Sequence, residues 1–154
     1  MATTSPAKKL MTALVFVDTN VLIYAQDVSD LKKQKQARAW RHELWTSGTG
    51  RISFQVLQEF YVNVAHKWPS ARSQAREEVR DLLAWRPLRT DAELLERAWS
   101  IQDRYRLSFW DSLIVAAAKT ALCSYLLTED LQDGQDFDGL VVLNPFSKDP
   151  GSIR

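Results

Sequence analysis

Four acidic side chains in this sequence could share one piece of chemistry: Asp18, Glu59, Asp111 and Asp130. Asp18 ends an apolar, β-branched run from Ala13 to Val17 and is followed by Thr19-Asn20. Asp130 follows another apolar run, Tyr125 to Leu127, across Thr128-Glu129. Carboxylates brought within a few ångströms raise one another's pKa unless a cation neutralises them. Hard oxygen donors of this kind select Mg²⁺ or Mn²⁺ rather than zinc. Such an ion, with part of its coordination left to water, can orient a nucleophilic water and stabilise charge on a phosphodiester during in-line displacement. That chemistry needs no histidine or cysteine nucleophile, and the chain holds only His42, His66 and Cys123.

Each acid also has a purely structural explanation. Asp18 and Asn20 are residue types that cap helices. Ser108-Phe109-Trp110-Asp111 has the spacing of a capping box, and Asp111 can serve as a cap and a ligand together. Glu59 sits early in a helix, where the macrodipole favours an acid. Asp130, Asp133, Asp136 and Asp138 surround Gly134 in a polar loop of ordinary turn residues. Distance from the preceding strand favours Asp130, with Asp133 as the substitute.

The chain that must position these groups has 154 residues, 45% of them hydrophobic, enough for one core and one domain. The 20 Lys and Arg nearly cancel 19 Asp and Glu, so any basic nucleic-acid face has to be local. A single cysteine excludes an internal disulfide and fits a reducing cytoplasm, and two histidines make no zinc-site cluster. No apolar segment approaches a membrane span and no secretory signal is apparent, so a soluble cytoplasmic protein is expected. Residues 1–12 read as a flexible extension in which Met11 could be the start, 13–147 as the folded domain and 148–154 as a tail.

Strand signals at Ala13–Val17, Arg51–Phe54, Tyr125–Leu127 and Leu140–Leu143 alternate with helical patterns, and Trp85–Arg89 reads as a further edge strand because of Pro87. Helices are predicted from Asn20 or Val21 to Ala25, over Leu31–Trp45, around Val56–Ala65, over Ala71–Ala84, from a Thr90/Glu93 capping box to Arg104, and from Ser108 onward. Alternation of this kind implies right-handed βαβ crossovers and a three-layer α/β fold, a mainly parallel sheet flanked by helices. Ligands bind such sheets beyond the carboxyl ends of the strands, where strand order reverses. If the strands before Asp18 and Asp130 are neighbours there, the acids meet. Trp40, Trp85 and Trp99 fall in apolar patterns and read as core or dimer contacts. Lys32, Lys33, Lys35, Arg38 and Arg41 form a basic helix flank, ordinarily a solvated face but also a conceivable RNA path.

From about Leu14 to Phe146 the sequence resembles the PIN-domain ribonucleases, particularly the toxins of VapBC toxin–antitoxin pairs. The likeness is carried by Phe16-Val17-Asp18-Thr19-Asn20-Val21-Leu22, Gln58-Glu59-Phe60, Leu107-Ser108-Phe109-Trp110-Asp111, Leu127-Thr128-Glu129-Asp130 and Asn144-Pro145-Phe146, in that order. It implies that Asp18, Glu59, Asp111 and Asp130 form an acidic metal site supported by Asn20 and Thr128. It further implies a Mg²⁺- or Mn²⁺-dependent endonuclease acting on single-stranded or looped RNA, a homodimer, and an antitoxin whose tail covers the site.

Other classes fit less well. A dehalogenase-type phosphatase needs a second aspartate two residues after the first, where Asn20 stands. A receiver domain needs paired acids after the first strand, and a dinucleotide-binding domain needs a glycine-rich first turn. The non-enzymatic alternative is a PIN-like RNA- or protein-binding module that has lost catalysis.

Overall fold

In a computed structural model, residues 13–153 are described; the proposed extension and the choice between Met1 and Met11 lie outside them. Four short parallel strands form the sheet: β1 (Val15–Val17), β2 (Gly50–Arg51), β3 (Tyr125–Leu127) and β4 (Val141–Leu143). Their order is β2-β1-β3-β4, with Val17 beside Leu127 and Leu127 beside Leu143. Val15, Phe16, Val17, Leu126 and Leu127 are all buried, although successive strand residues point to opposite faces. Both faces are therefore covered, which is why these runs are continuously apolar and do not alternate. The chain moves outward from β1 to β2 and returns on the other side of β1 to β3, so strand order reverses between β1 and β3.

Among the described residues six helices supply the outer layers: α1 (Thr19–Tyr24), α2 (Leu31–Ser47), α3 (Phe54–Lys67), α4 (Arg72–Leu82), α5 (Ala92–Tyr105) and α6 (Phe109–Thr120). Asp30, Ser53, Asp91 and Ser108 cap α2, α3, α5 and α6 by accepting a hydrogen bond from the amide three residues on. Each such cap is worth about 1 kcal/mol. Gly48 ends α2 at φ 70°, a left-handed conformation that a side chain would resist. Leu94 and Ala98 of α5 pack on Leu113 and Ala116 of α6, where small residues let the two helices approach. Near the C-terminus, Trp40 donates its indole N–H to the carbonyls of Pro145 and Lys148, at 3.1 and 2.9 Å. A 3-10 turn, Pro150–Ile153, follows and lies against α2.

Three local expectations are corrected. Trp85–Arg89 is not a strand: a 3-10 turn occupies Leu83–Trp85, and Leu88 makes a single parallel bridge to Ser53. Arg86 at φ 53° and Pro87, which has no N–H, prevent a ladder from continuing. The second strand ends before Phe54, because the Ser53 hydroxyl caps α3 and draws Phe54 into the helix. The cap of α5 is Asp91, not Thr90: the Asp91 carboxylate accepts from Leu94 N at 2.8 Å. Glu93 pairs instead with Arg97, also at 2.8 Å. Trp40 and Trp85 belong to the core, whereas Trp99 is 47% exposed. Among the described residues no helix is long and apolar enough to cross a membrane.

At the β2 edge, a methyl group added at Gly50 would stand 2.5 Å from Cε2 of the buried Trp85 ring. Gly50→Ala should destabilise the fold by about 1–3 kcal/mol through overpacking. A thermal or denaturant melt indistinguishable from wild type would contradict this close approach.

Candidate functional site

The pairing of β1 with β3 continues one residue past both strands. The Asp18 amide donates to Leu127 O at 3.0 Å, which sets Asp18 beside Thr128 at the carboxyl edge of the sheet. Asp18 is 6% exposed, and its two oxygens have different work. Oδ1 accepts from Thr19 N at 2.7 Å, capping α1. Oδ2 accepts from the Thr128 hydroxyl at 2.8 Å and from Asn20 Nδ2 at 3.3 Å. The capping explanation and a site role are therefore compatible, since the cap uses one oxygen.

Asn20 ties the two strand ends together. Besides Asp18, its Nδ2 reaches Thr128 Oγ1 at 3.1 Å and Asp130 Oδ2 at 3.0 Å. Asp130 N in turn donates to Thr128 Oγ1 at 3.1 Å. Glu59 arrives from α3, and the Thr19 hydroxyl donates to its Oε1 at 2.8 Å. Asp111 comes from the first turn of α6, its backbone N–H held by Ser108 Oγ at 3.1 Å. All four acids line one cleft of about 230 Å³, together with Thr19, Asn20, Ile23, Gln55, Asn63, Trp110 and Ile114. No Lys or Arg is among these lining residues.

Asp133 stands elsewhere. Its carboxylate accepts from Asn144 N at 2.9 Å and pairs with Lys148 at 2.5 Å, which holds it below the usual carboxylate range. Glu129, adjacent to Asp130, is bound to Lys33 at 2.8 Å. Part of the basic flank of α2 is likewise engaged within the chain: Arg41 grips Glu78 with two bonds of 2.7 Å, and Arg38 donates to Ala25 O. Cys123 is no candidate nucleophile, since burial pushes its thiol up to about 12.

The electrostatics follow from burial without a cationic neighbour. Desolvation raises the Asp18 carboxyl from 3.8 to about 7, against the lowering effect of Thr128 and Thr19, with Asp130 and Glu59 adding repulsion. Asp111 is also raised, by desolvation first and by Asp130 next, against a hydrogen bond from Ser108. The available donors are all oxygens, the chemistry that suits a hard divalent cation. Asn20 Oδ1 is buried with no hydrogen-bond partner in the protein, which leaves a further neutral oxygen donor at the cleft. Among the described residues no three acidic, imidazole or thiol groups converge closely enough to cage one ion by themselves.

Sequence reasoning gave no role to Thr19, Gln55, Asn63 or Trp110, which also line the cleft. For two of them a signal existed: Gln55 and Asn63 lie four residues either side of Glu59, on the same face of α3. Gln55 is 7% exposed and neither amide atom has a protein hydrogen-bond partner.

A family model described as the PIN domain matches residues 15–133. No curated protein sequence matches the chain. Among solved structures, it is similar to a toxin–antitoxin complex from Klebsiella pneumoniae, with TM-score 0.62 and 21% identity over 85% of this chain and 97% of that one. It is also similar to VapC20 of Mycobacterium tuberculosis, a toxin that cleaves the sarcin–ricin loop, with TM-score 0.58 and 21% identity over 73% of this chain and 86% of that one.

A pH dependence follows from Asp18. Its folded pKa, about 7, lies above the ordinary 3.8, so the folded chain holds this proton more tightly than the unfolded chain. The stability it contributes is full below about pH 4 and is lost as pH rises through about 7, roughly 4 kcal/mol in all. In chelator, Asp18→Asn should therefore flatten the fall in stability between about pH 4 and pH 7 and raise the melting temperature above that window. Parallel stability curves for the two proteins would rule out the uncompensated buried charge.

Proposed function

The chain belongs to the PIN domain family, and from that premise we propose that it is a Mg²⁺- or Mn²⁺-dependent endoribonuclease, the toxin of a type II toxin–antitoxin pair. The observation that carries the catalytic part is the cleft shared by Asp18, Glu59, Asp111 and Asp130, with no basic residue among its described lining and set where strand order reverses. Burying Asp18 without a counter-charge costs stability, a cost that a bound cation would offset.

Asp18 is the residue best held for metal binding, anchored by Thr19, Asn20 and Thr128. Asp111, Glu59 and Asp130 supply the surrounding carboxylates. A bound divalent ion would offset their charge, polarise the phosphodiester and lower the pKa of an attacking water. The protein's own part is positional. Thr19 holds the Glu59 carboxylate, and Asn20 keeps Asp18 and Asp130 at a fixed separation. Orientation of ligands in this way commonly governs metal affinity and rate.

The RNA and antitoxin parts of the proposal draw on the family resemblance and on the two solved relatives, one a toxin–antitoxin complex and one a toxin that cleaves an RNA loop. On this reading the protein works in the cytoplasm as a homodimer, and the tail of a small antitoxin covers the acidic cleft.

Purified protein should cleave RNA with Mg²⁺ or Mn²⁺ and stop when the ion is chelated. Asp18→Asn and Asp111→Asn should each abolish cleavage while retaining the folded far-ultraviolet spectrum. Asn20→Ala and Thr128→Ala should lower the rate by about 10- to 100-fold, as loss of a ligand-orienting group does. Metal-dependent cleavage surviving in both aspartate variants would sink the proposed site.

A further inference from the structure

We propose that Trp110 is a stacking platform for one nucleobase of a single-stranded RNA substrate, beside the carboxylates that engage the phosphodiester. This rests on the endoribonuclease reading and adds to it a contact that fixes where the substrate strand lies.

Trp110 is the second residue of α6, adjacent to Asp111, and it lines the cleft with all four acids. It is 62% exposed, an unfavourable setting for a large apolar ring unless something covers it. The ring is braced: Phe109, half-buried against the α5–α6 cluster, meets it edge-on at 5.2 Å between centroids and 72° between planes. Among the described residues no other aromatic side chain lines the cleft.

The charge pattern favours such a contact. Among the described residues four carboxylates and no Lys or Arg line the cleft, so those residues do not supply the usual electrostatic source of nucleic-acid affinity there. A divalent ion can hold one phosphate, but the flanking chain needs a non-ionic grip. Base stacking on an aromatic face provides it, tolerates any base, and is open only to unpaired nucleotides. A paired strand buries its bases against their neighbours and would present only phosphate to this rim.

The test is steady-state cleavage of a mixed-sequence single-stranded RNA by wild type, Trp110→Ala and Trp110→Phe, with a melt of each protein. Trp110→Ala should raise KM by about 5- to 100-fold with kcat changed far less. Trp110→Phe should recover most of the loss, and the melts should coincide. Once a cut site is mapped, an abasic ribonucleotide at one flanking position should weaken cleavage by wild type and leave Trp110→Ala indifferent. An unchanged KM in Trp110→Ala, with wild type active, overturns the platform and leaves the nuclease standing. Loss of antitoxin binding without a change in KM also overturns it, making the indole a protein-contact residue. If wild type cleaves no RNA, the nuclease reading fails instead. The platform is then judged by the fluorescence difference between wild type and Trp110→Phe on adding a short oligouridylate, where quenching supports it and its absence overturns it.

Discussion

Everything at the cleft depends on the parallel pairing of β1 with β3. Sequence separation between Asp18 and Thr128 is 110 residues, yet the ladder bonds the Asp18 amide to Leu127 O, one residue before Thr128, and brings the two side chains to 2.8 Å. Parallel strands present their carboxyl ends on the same edge, so two polar residues that each follow an apolar strand must meet there. An antiparallel pairing of the same two segments would place Asp18 and Thr128 at opposite ends. The short strands contribute little ladder energy of their own, and it is burial of both faces that holds the register.

The cost of this arrangement is electrostatic, and the structure distributes it. Asp18 is withdrawn from water with no cation beside it, and three neutral donors from Thr19, Asn20 and Thr128 offset part of the penalty. The remainder appears as a carboxyl raised to about 7. Acids outside the cleft show the opposite pattern. Asp133 and Glu129 each have a lysine partner, and Asp27 has Ser29 and Lys67. The chain has enough lysine and arginine to pair its acids, and it leaves the cleft acids unpaired by them. A stability optimum would look different.

Legibility followed the range of the interactions involved. Helix α6 was readable from Ser108 and Asp111 because a cap is a contact across three residues. The rule misplaced α5 by one residue, since Thr90 and Asp91 are both good caps and only the backbone path chose Asp91. Trp85–Arg89 looked like a strand because it is apolar in part, but whether a segment forms a ladder depends on its partner. Beside two-residue β2, with Arg86 in the left-handed region, only one bridge survives. Asp130 and Asp133 could not be separated by spacing. Lys148, fifteen residues further on, takes Asp133 out of the cleft, while Asn20 draws Asp130 into it.

By itself the sequence determined the fold class and the edge of the sheet at which its acids fall. Continuous apolar runs alternating with amphipathic helices specify a buried parallel sheet through local patterning, and acids after strands fall at its carboxyl edge. Tertiary structure alone decided which acids share the cleft, that no basic side chain lines it among the described residues, and that Trp110 stands exposed on its rim while Trp40 and Trp85 are buried. These are outcomes of which surfaces pack together. A tryptophan in an apolar pattern carries the same local signal whether or not another element arrives to cover it.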